Sequence, residues 1–421
     1  MPDGAGFALD GHREIPDMRL KDFAKAGHLP TLFSAFLYFD MSFMVWVLLG
    51  PLGVHIAKDL GLSPSEKGLM VAIPVLSGAL MRVVMGLLVD SIGAKRAGLI
   101  GQSVVLAALF ASWMFGLHSL HAVYLLGICL GVAGASFAVA LPLASRWYPP
   151  EAQGLALGIA GAGNSGTVFS ALFAPVLANH VGWTNVFGLV LIPLSITVLV
   201  YAFLAKDAPG TPPPQKLSRY FMVLKERDAW WFMLFYLVTF GGFVGLASSL
   251  VIYFNSQFGL QPSVAGYLTA GCVFCGSMFR PIGGTVADRV GGVRALQTMY
   301  IVVVLAMLGV AMLPSSLALS MGCFAIGMMA MGMGNGAVFQ LLPQRFKREI
   351  GTLTGLVGMA GGIGGFYLAS SLGLSKQLTG DYRLGFLMYA LLGASAFGIL
   401  FKVKVRWRAT WGSPEVAQAR V

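Results

Sequence analysis

Apolar positions in this chain come in long runs separated by short polar loops. Twelve such runs fall near residues 29–57, 66–90, 97–117, 120–145, 152–178, 183–205, 229–256, 263–287, 295–314, 316–342, 351–373 and 384–402. A helix needs about 20 predominantly apolar residues to cross a bilayer, and each run meets or approaches that length. The strands of a membrane barrel would read as short segments of alternating polarity, a pattern absent here. The runs therefore predict an all-α membrane protein with twelve transmembrane helices. The longest stretch between them, Lys206–Arg227, is charged and contains Pro212-Pro213-Pro214, a composition that makes a semi-rigid spacer. It divides the chain into two pseudo-symmetric six-helix bundles, expected at 29–205 and 229–404. A linker at 206–228 joins them, with tails at 1–28 and 405–421.

Composition agrees: 57% of the 421 residues are hydrophobic and 11% are charged, against about 25% charged in a soluble domain. The net charge of +11 suggests a nucleic-acid partner only until the basic residues are placed. They cluster in the loops and tails of one face, which holds 22 of the 28 Lys and Arg residues. The opposite face holds only Lys58, Lys67, Lys376 and Arg383. This is the bias that orients membrane proteins, so both termini are expected in the cytoplasm and the chain in the cell membrane. Cys272 and Cys275 form a C-x-x-C inside one apolar run with no second pair, which reads as packing rather than metal or redox chemistry. The polar first 28 residues carry no signal-peptide pattern, and the first apolar run is too long for one.

Two basic residues remain, Arg82 and Arg280, and both lie inside apolar runs. They are related by a repeat. Sliding the sequence by 198 positions brings Arg82 onto Arg280, Gly86 onto Gly284, Asp90 onto Asp288, Gly93 onto Gly291 and Arg96 onto Arg294. The same shift brings Tyr38 onto Tyr236, Glu151 onto Glu349, Gly163 onto Gly361 and Gly166 onto Gly364. Internal repeats of this kind mark transporter folds, whose substrate sites lie near the bilayer midplane where the repeats meet.

Each arginine stands eight residues before its Asp, about 12 Å along a helix and so well inside the membrane. A charge at that depth costs about 2.5–3.5 kcal/mol on insertion scales, and Arg does not shed its proton to escape the cost. Two fixed positive charges with planar donor forks suit a small oxyanion, which accepts bidentate hydrogen bonds. The competing account pairs each Arg with a buried carboxylate. Only Asp40 lies deep within a span, so it neutralises at most one of them. Asp40 is otherwise the candidate for carrying a proton with the anion, or a static partner for backbone donors. Glycine runs give a further signal: Gly161, Gly163 and Gly166 in the fifth span, and Gly358, Gly361, Gly362 and Gly364 in the eleventh. Such runs let helices approach and rock at close range, and Asn164 adds an amide at membrane depth.

The segments Gly86-Leu-Leu-Val-Asp90-Ser-Ile-Gly93-Ala-Lys95-Arg96 and Gly284-Thr-Val-Ala-Asp288-Arg289-Val-Gly291 resemble the two loop motifs of the major facilitator superfamily. By that resemblance Asp90, Arg96, Asp288 and Arg294 form a conformational latch, with Ser91 departing from the usual Arg. Gly163-Asn164-Ser165-Gly166 and Gly358–Phe366 resemble the two signature segments of the nitrate/nitrite porter family, of the NarK and NasA type. The resemblance covers about residues 29–402. It implies that Arg82 and Arg280 are the paired substrate arginines, and that Tyr236, Phe240, Phe137 and Phe43 line the site with Asn164. The expected cargo is nitrate, nitrite or both, moved by alternating access without a cofactor. Proton-coupled uptake is favoured. Nitrate/nitrite exchange and transport of another small anion are the alternatives. The chain is expected to work as a monomer. An enzyme is disfavoured because no deep His–carboxylate set, Ser–His pair or metal cluster appears in the sequence.

Overall fold

The fold is seen in a computed structural model that describes residues 20–209, 222–312, 315–346 and 350–410. Most of the N-terminal tail, the Pro-rich core of the linker, Lys347, Arg348 and Glu349, and the last eleven residues lie outside the described residues. Twelve helices are long and apolar enough to cross a membrane, and among the described residues all regular structure is helical. Large apolar side chains such as Phe110, Phe203 and Leu391 are exposed around the outside of the bundle. A lipid-facing surface accommodates such side chains because the helices satisfy their own backbone polar groups.

Local sequence explains where the helices start and stop. The second span, Pro64–Ile92, opens with a capping box in which Ser63 and Glu66 bond reciprocally, with Pro64 at the first helical position. That arrangement satisfies donors that a helix N-terminus otherwise leaves unpaired. The second and eighth spans both end at a glycine of positive φ, Gly93 and Gly291, a conformation that glycine adopts without steric cost. These are the matched glycines of the repeat.

Three spans depart from the unbroken helices that the apolar runs predict. The first span is helical over Leu29–Trp46, passes through buried turns, and resumes as the short helix Gly53–Leu60. Pro51 in this break cannot donate a backbone bond, and Gly50 presses against the Ser248 carbonyl of the seventh span. The fourth span divides into Leu120–Gly134 and Phe137–Ser145. The fifth runs from Pro150 to Gly161, tightens to a 3₁₀ turn over Ala162–Ser165, and continues from Gly166 to Val181. A mid-helix 3₁₀ stretch often marks a functional hinge.

The two halves meet along two seams. The second span packs along the eleventh, Thr352–Thr379, and the fifth packs along the eighth, Pro262–Val290. The seventh span, Arg227–Phe258, is almost wholly buried between them. The face opposite the termini is drawn shut. There Gly68 and Gly373 pass so closely that a Cβ on either would come within 2.8 Å of the other's Cα. On the second seam, Asn179 donates to the Ser263 hydroxyl at 2.6 Å.

Candidate functional site

Arg82 projects from the second span into the middle of the molecule and is 1% exposed. It ties the halves together. Its Nε donates to the Gly134 carbonyl of the fourth span at 3.3 Å, and its Nη1 donates to the Gly358 carbonyl of the eleventh. The break after Gly134 frees that carbonyl end of the helix, and a negative helix C-terminus favours a cation. The guanidinium also lies over three rings, at 5.5 Å from Trp46, 5.3 Å from Phe137 and 4.9 Å from Phe240. Ring faces attract a desolvated cation by about 2 kcal/mol. Carbonyl dipoles and ring quadrupoles thus hold the charge, and its third nitrogen, Nη2, is buried with no hydrogen-bond partner among the described residues.

Arg280 approaches from the eighth span and is half-buried. Its guanidinium lies 5.7 Å from the Phe339 ring, and its Nη1 is buried and unpartnered. The two arginines are within electrostatic reach of each other, and Tyr236 is within reach of both. Aromatic rings fill the space between them. Tyr236 and Phe240 stack at 5.0 Å with planes 4° apart. Phe339 stands edge-on to Tyr236 at 5.1 Å and reaches across the halves to Phe137 at 5.9 Å. Phe43 packs at 4.8 Å from Trp46 and 6.4 Å from Phe240. Gly361 permits this crowding, because a Cβ there would sit 2.7 Å from Tyr236 and 2.8 Å from Phe240.

Arg82, Arg280, Phe43, Phe137, Tyr236 and Phe240 therefore lie together at the centre of the molecule. Asn164 sits in the 3₁₀ turn, which packs on the first span and on the eighth span that carries Arg280. Both polar atoms of its buried amide are unpartnered. Asp40 is not a partner of Arg82. Its carboxylate accepts from the Ser165 hydroxyl at 2.8 Å. The two guanidiniums make no ion pair among the described residues.

Most of the expected glycines pack closely. Gly163 lies against Phe39 and the Asp40 backbone, Gly166 against the Asp40 carbonyl, Gly358 against Arg82, Gly362 against Ala79, and Gly364 against the Leu237 carbonyl. Gly161 is the exception. A Cβ there would meet nothing within 4 Å, so close packing does not require glycine at that position. The latch also differs from expectation. Asp90 pairs with Arg146 at 3.1 Å, at the end of the fourth span of its own half. Arg96 and Arg294 are exposed, without an ion pair among the described residues. Asp207, not Asp90, serves the start of the third span, accepting from the Lys95 backbone at 3.1 Å. Asp288 is engaged in an interaction of its own.

Three further residues stand at this centre without a signature in the sequence motifs: Trp46, Phe339 and Asn335. Trp46 follows Phe39 and Phe43 at helical spacing, which places all three on one face. Asn335 lies one turn from Phe339 on the same face of the tenth span, Leu317–Arg345. It is 0% exposed, and both amide atoms lack partners. Its neighbour Gly336 presses on the Arg280 carbonyl. An amide embedded among Met, Gly and Ala residues was the available signal, the same signal that marked Asn164.

A repeat-built bundle with a permanent cation from each half at its centre is the architecture of a secondary transporter for anions. The Major Facilitator Superfamily model matches residues 32–369, and the chain belongs to that superfamily and to its nitrate/nitrite transporter branch. It is 33% identical to the nitrite extrusion protein of Bacillus subtilis over 84% of this chain and 89% of that one. It is 32% identical to the probable nitrate transporter NarT of Staphylococcus epidermidis, over 84% and 91%. To the probable nitrate/nitrite antiporter NarK1 of Thermus thermophilus it is 32% identical over 88% and 90%. Among solved structures, a bacterial homologue of the human lysosomal transporter Spinster superposes with a TM-score of 0.70 at 16% identity, covering 91% of this chain and 98% of that one. The chain is a membrane transporter and not an enzyme.

Proposed function

We propose that this chain carries nitrate, and nitrite as a related cargo, between the two faces by alternating access of its halves, with both termini cytoplasmic. The supporting observation is the meeting of Arg82 and Arg280, one from each repeat, at an aromatic-walled centre with guanidinium nitrogens left unpartnered. A flat, delocalised anion accepts from both forks at its edge and stacks its faces between rings. The names of the relatives at 32–33% identity point the same way. An anion bonded to both halves favours the conformations in which the halves are close. Gly358 and Gly362, packed against Arg82 and Ala79 of the second span, give that seam room to rock.

For coupling, uptake with a proton carried by Asp40 is the leading reading. Asp40 is buried and bonded to Ser165 of the 3₁₀ turn, the turn that also carries Asn164. A proton arriving at Asp40 alters the hold of the first span on the hinge. One observation favours exchange instead: among the described residues neither guanidinium is balanced by a carboxylate. An empty site then carries two uncompensated charges, which are costly in low dielectric, and an empty carrier would resist reorienting. Nitrate uptake into vesicles reconstituted with the pure chain separates the readings. Proton coupling requires accumulation driven by an imposed pH gradient alone. Exchange requires internal nitrite and ignores the pH gradient. Absence of uptake under both conditions contradicts the proposal.

A further inference from the structure

The face opposite the termini bears four basic residues, and two of them line one cleft. That cleft lies between the halves, beside the Gly68–Gly373 seam, and its walls include Lys67, Ser249, Tyr253, Lys376 and Tyr382. Lys67 comes from the second span and Lys376 from the eleventh, so each half supplies one ammonium. Both lysines are half-buried, and neither has an ion pair among the described residues. The nearby carboxylates are committed elsewhere. Glu66 is bound to its own helix cap, through the Ser63 backbone at 2.8 Å and the Ser63 hydroxyl at 2.7 Å. Asp381 accepts from the Arg383 backbone at 3.0 Å and pairs with its side chain at 3.6 Å. Lys376 is steadied over the Tyr382 ring at 5.3 Å. Ser249, more than nine-tenths buried, is among the residues lining the cleft, and its hydroxyl has no hydrogen-bond partner among the described residues.

Two unbalanced ammonium groups facing one seam repel as the halves close there. We propose that Lys67 and Lys376 form a vestibular site for a small monovalent anion, separate from the arginine pair, with the Ser249 hydroxyl as an added donor. An anion held between the lysines offsets their repulsion on closure. The paired positive charge also concentrates anions at the mouth, an effect that raises capture rates by about tenfold or more at low ionic strength. The site takes anions of the class carried by the arginines but is assembled at the surface, before the central rings are reached. The direct test below reads binding, so its outcome does not depend on whether nitrate is transported.

In the full-length chain in detergent, the rate at which an amine-acylating reagent modifies each lysine is followed by peptide mass spectrometry. The probe is sodium nitrate, against sodium gluconate at equal ionic strength. Lys58, exposed on the same face, is the internal reference. Nitrate is expected to slow acylation of Lys67 and Lys376 several-fold and to leave Lys58 unchanged. Equal rates in the two salts, or equal slowing at Lys58, would overturn the proposal. A second arm uses reconstituted vesicles. The Lys67→Gln, Lys376→Gln double variant is expected to raise KM about tenfold for anion supplied on that face at low ionic strength. The difference should vanish at high salt, where screening lengths fall to about 3 Å at 1 M. Vmax should be unchanged, and the corresponding Arg double variant should restore KM. A KM equal to wild type at low ionic strength would also overturn it.

Discussion

Replacing Arg82 with lysine keeps the charge and removes the fork, so it isolates what the planar guanidinium contributes. In the structure the three nitrogens of Arg82 have three separate destinations: the Gly134 carbonyl, the Gly358 carbonyl, and an open position at Nη2. A lysine ammonium is a point donor at the end of a flexible stem. It satisfies one of these directions and surrenders the planar geometry that holds both carbonyls while keeping Nη2 free for an oxyanion. Each hydrogen bond to a charged group contributes about 1.5–3 kcal/mol. Losing one cross-half carbonyl bond and one bond to the anion therefore costs about 3 kcal/mol at the lower bound. At about 1.4 kcal/mol per tenfold, kcat/KM for nitrate should fall about 100-fold. The assay is initial-rate nitrate uptake into proteoliposomes, with reconstitution efficiency and thermal stability in detergent measured in parallel. A stable Arg82→Lys protein within about threefold of wild-type uptake, well inside that 100-fold expectation, would refute the reasoning. Arg280→Lys should likewise impair transport severely, since a point charge does not replace a planar fork.

Other perturbations probe separate parts of the site. Gly166→Ala should abolish transport and lower thermal stability, because a Cβ collides with the Asp40 carbonyl, whereas Gly161→Ala should be silent in both measurements. Asn335→Leu should reduce nitrate uptake while leaving thermal stability equal or higher, since an apolar isostere removes a buried unpaired amide. Unchanged uptake would assign Asn335 to packing alone. Asp40→Asn should eliminate accumulation driven by a pH gradient and retain nitrate/nitrite exchange. Retention of gradient-driven accumulation at the wild-type level would remove Asp40 from the proton path.

The helical spans were legible because twelve runs of bilayer length leave no other way to satisfy backbone polar groups. Arg82 and Arg280 stood out for a related reason: they are the basic residues that loop topology does not explain. Their aromatic neighbours were less legible. With 29 Phe residues in the chain, a ring at the site looks locally like a ring in the core, and nothing local singles out Trp46 or Phe339. The partners of the acidic residues were illegible for another reason. Asp40 meets Ser165 across 125 positions, and Asp90 meets Arg146 across 56. Such pairings follow from how helices are set against each other, which no local pattern records. The breaks at 47–52, 135–136 and 162–165 also escape a hydropathy reading, because turn and helix residues there are equally apolar. Each break nonetheless places chemistry: the second leaves the Gly134 carbonyl to Arg82, and the third carries Asn164 and Ser165.

The most direct measurement of whether the arginine pair carries nitrate is counterflow, because it needs no assumption about coupling. Vesicles holding the purified chain are loaded with unlabelled nitrate and diluted into trace labelled nitrate with no pH gradient. A transient accumulation of label is expected, absent when the vesicles are loaded with gluconate and absent in the Arg82→Lys protein. Label that never rises above the gluconate control would contradict nitrate as the cargo of this site.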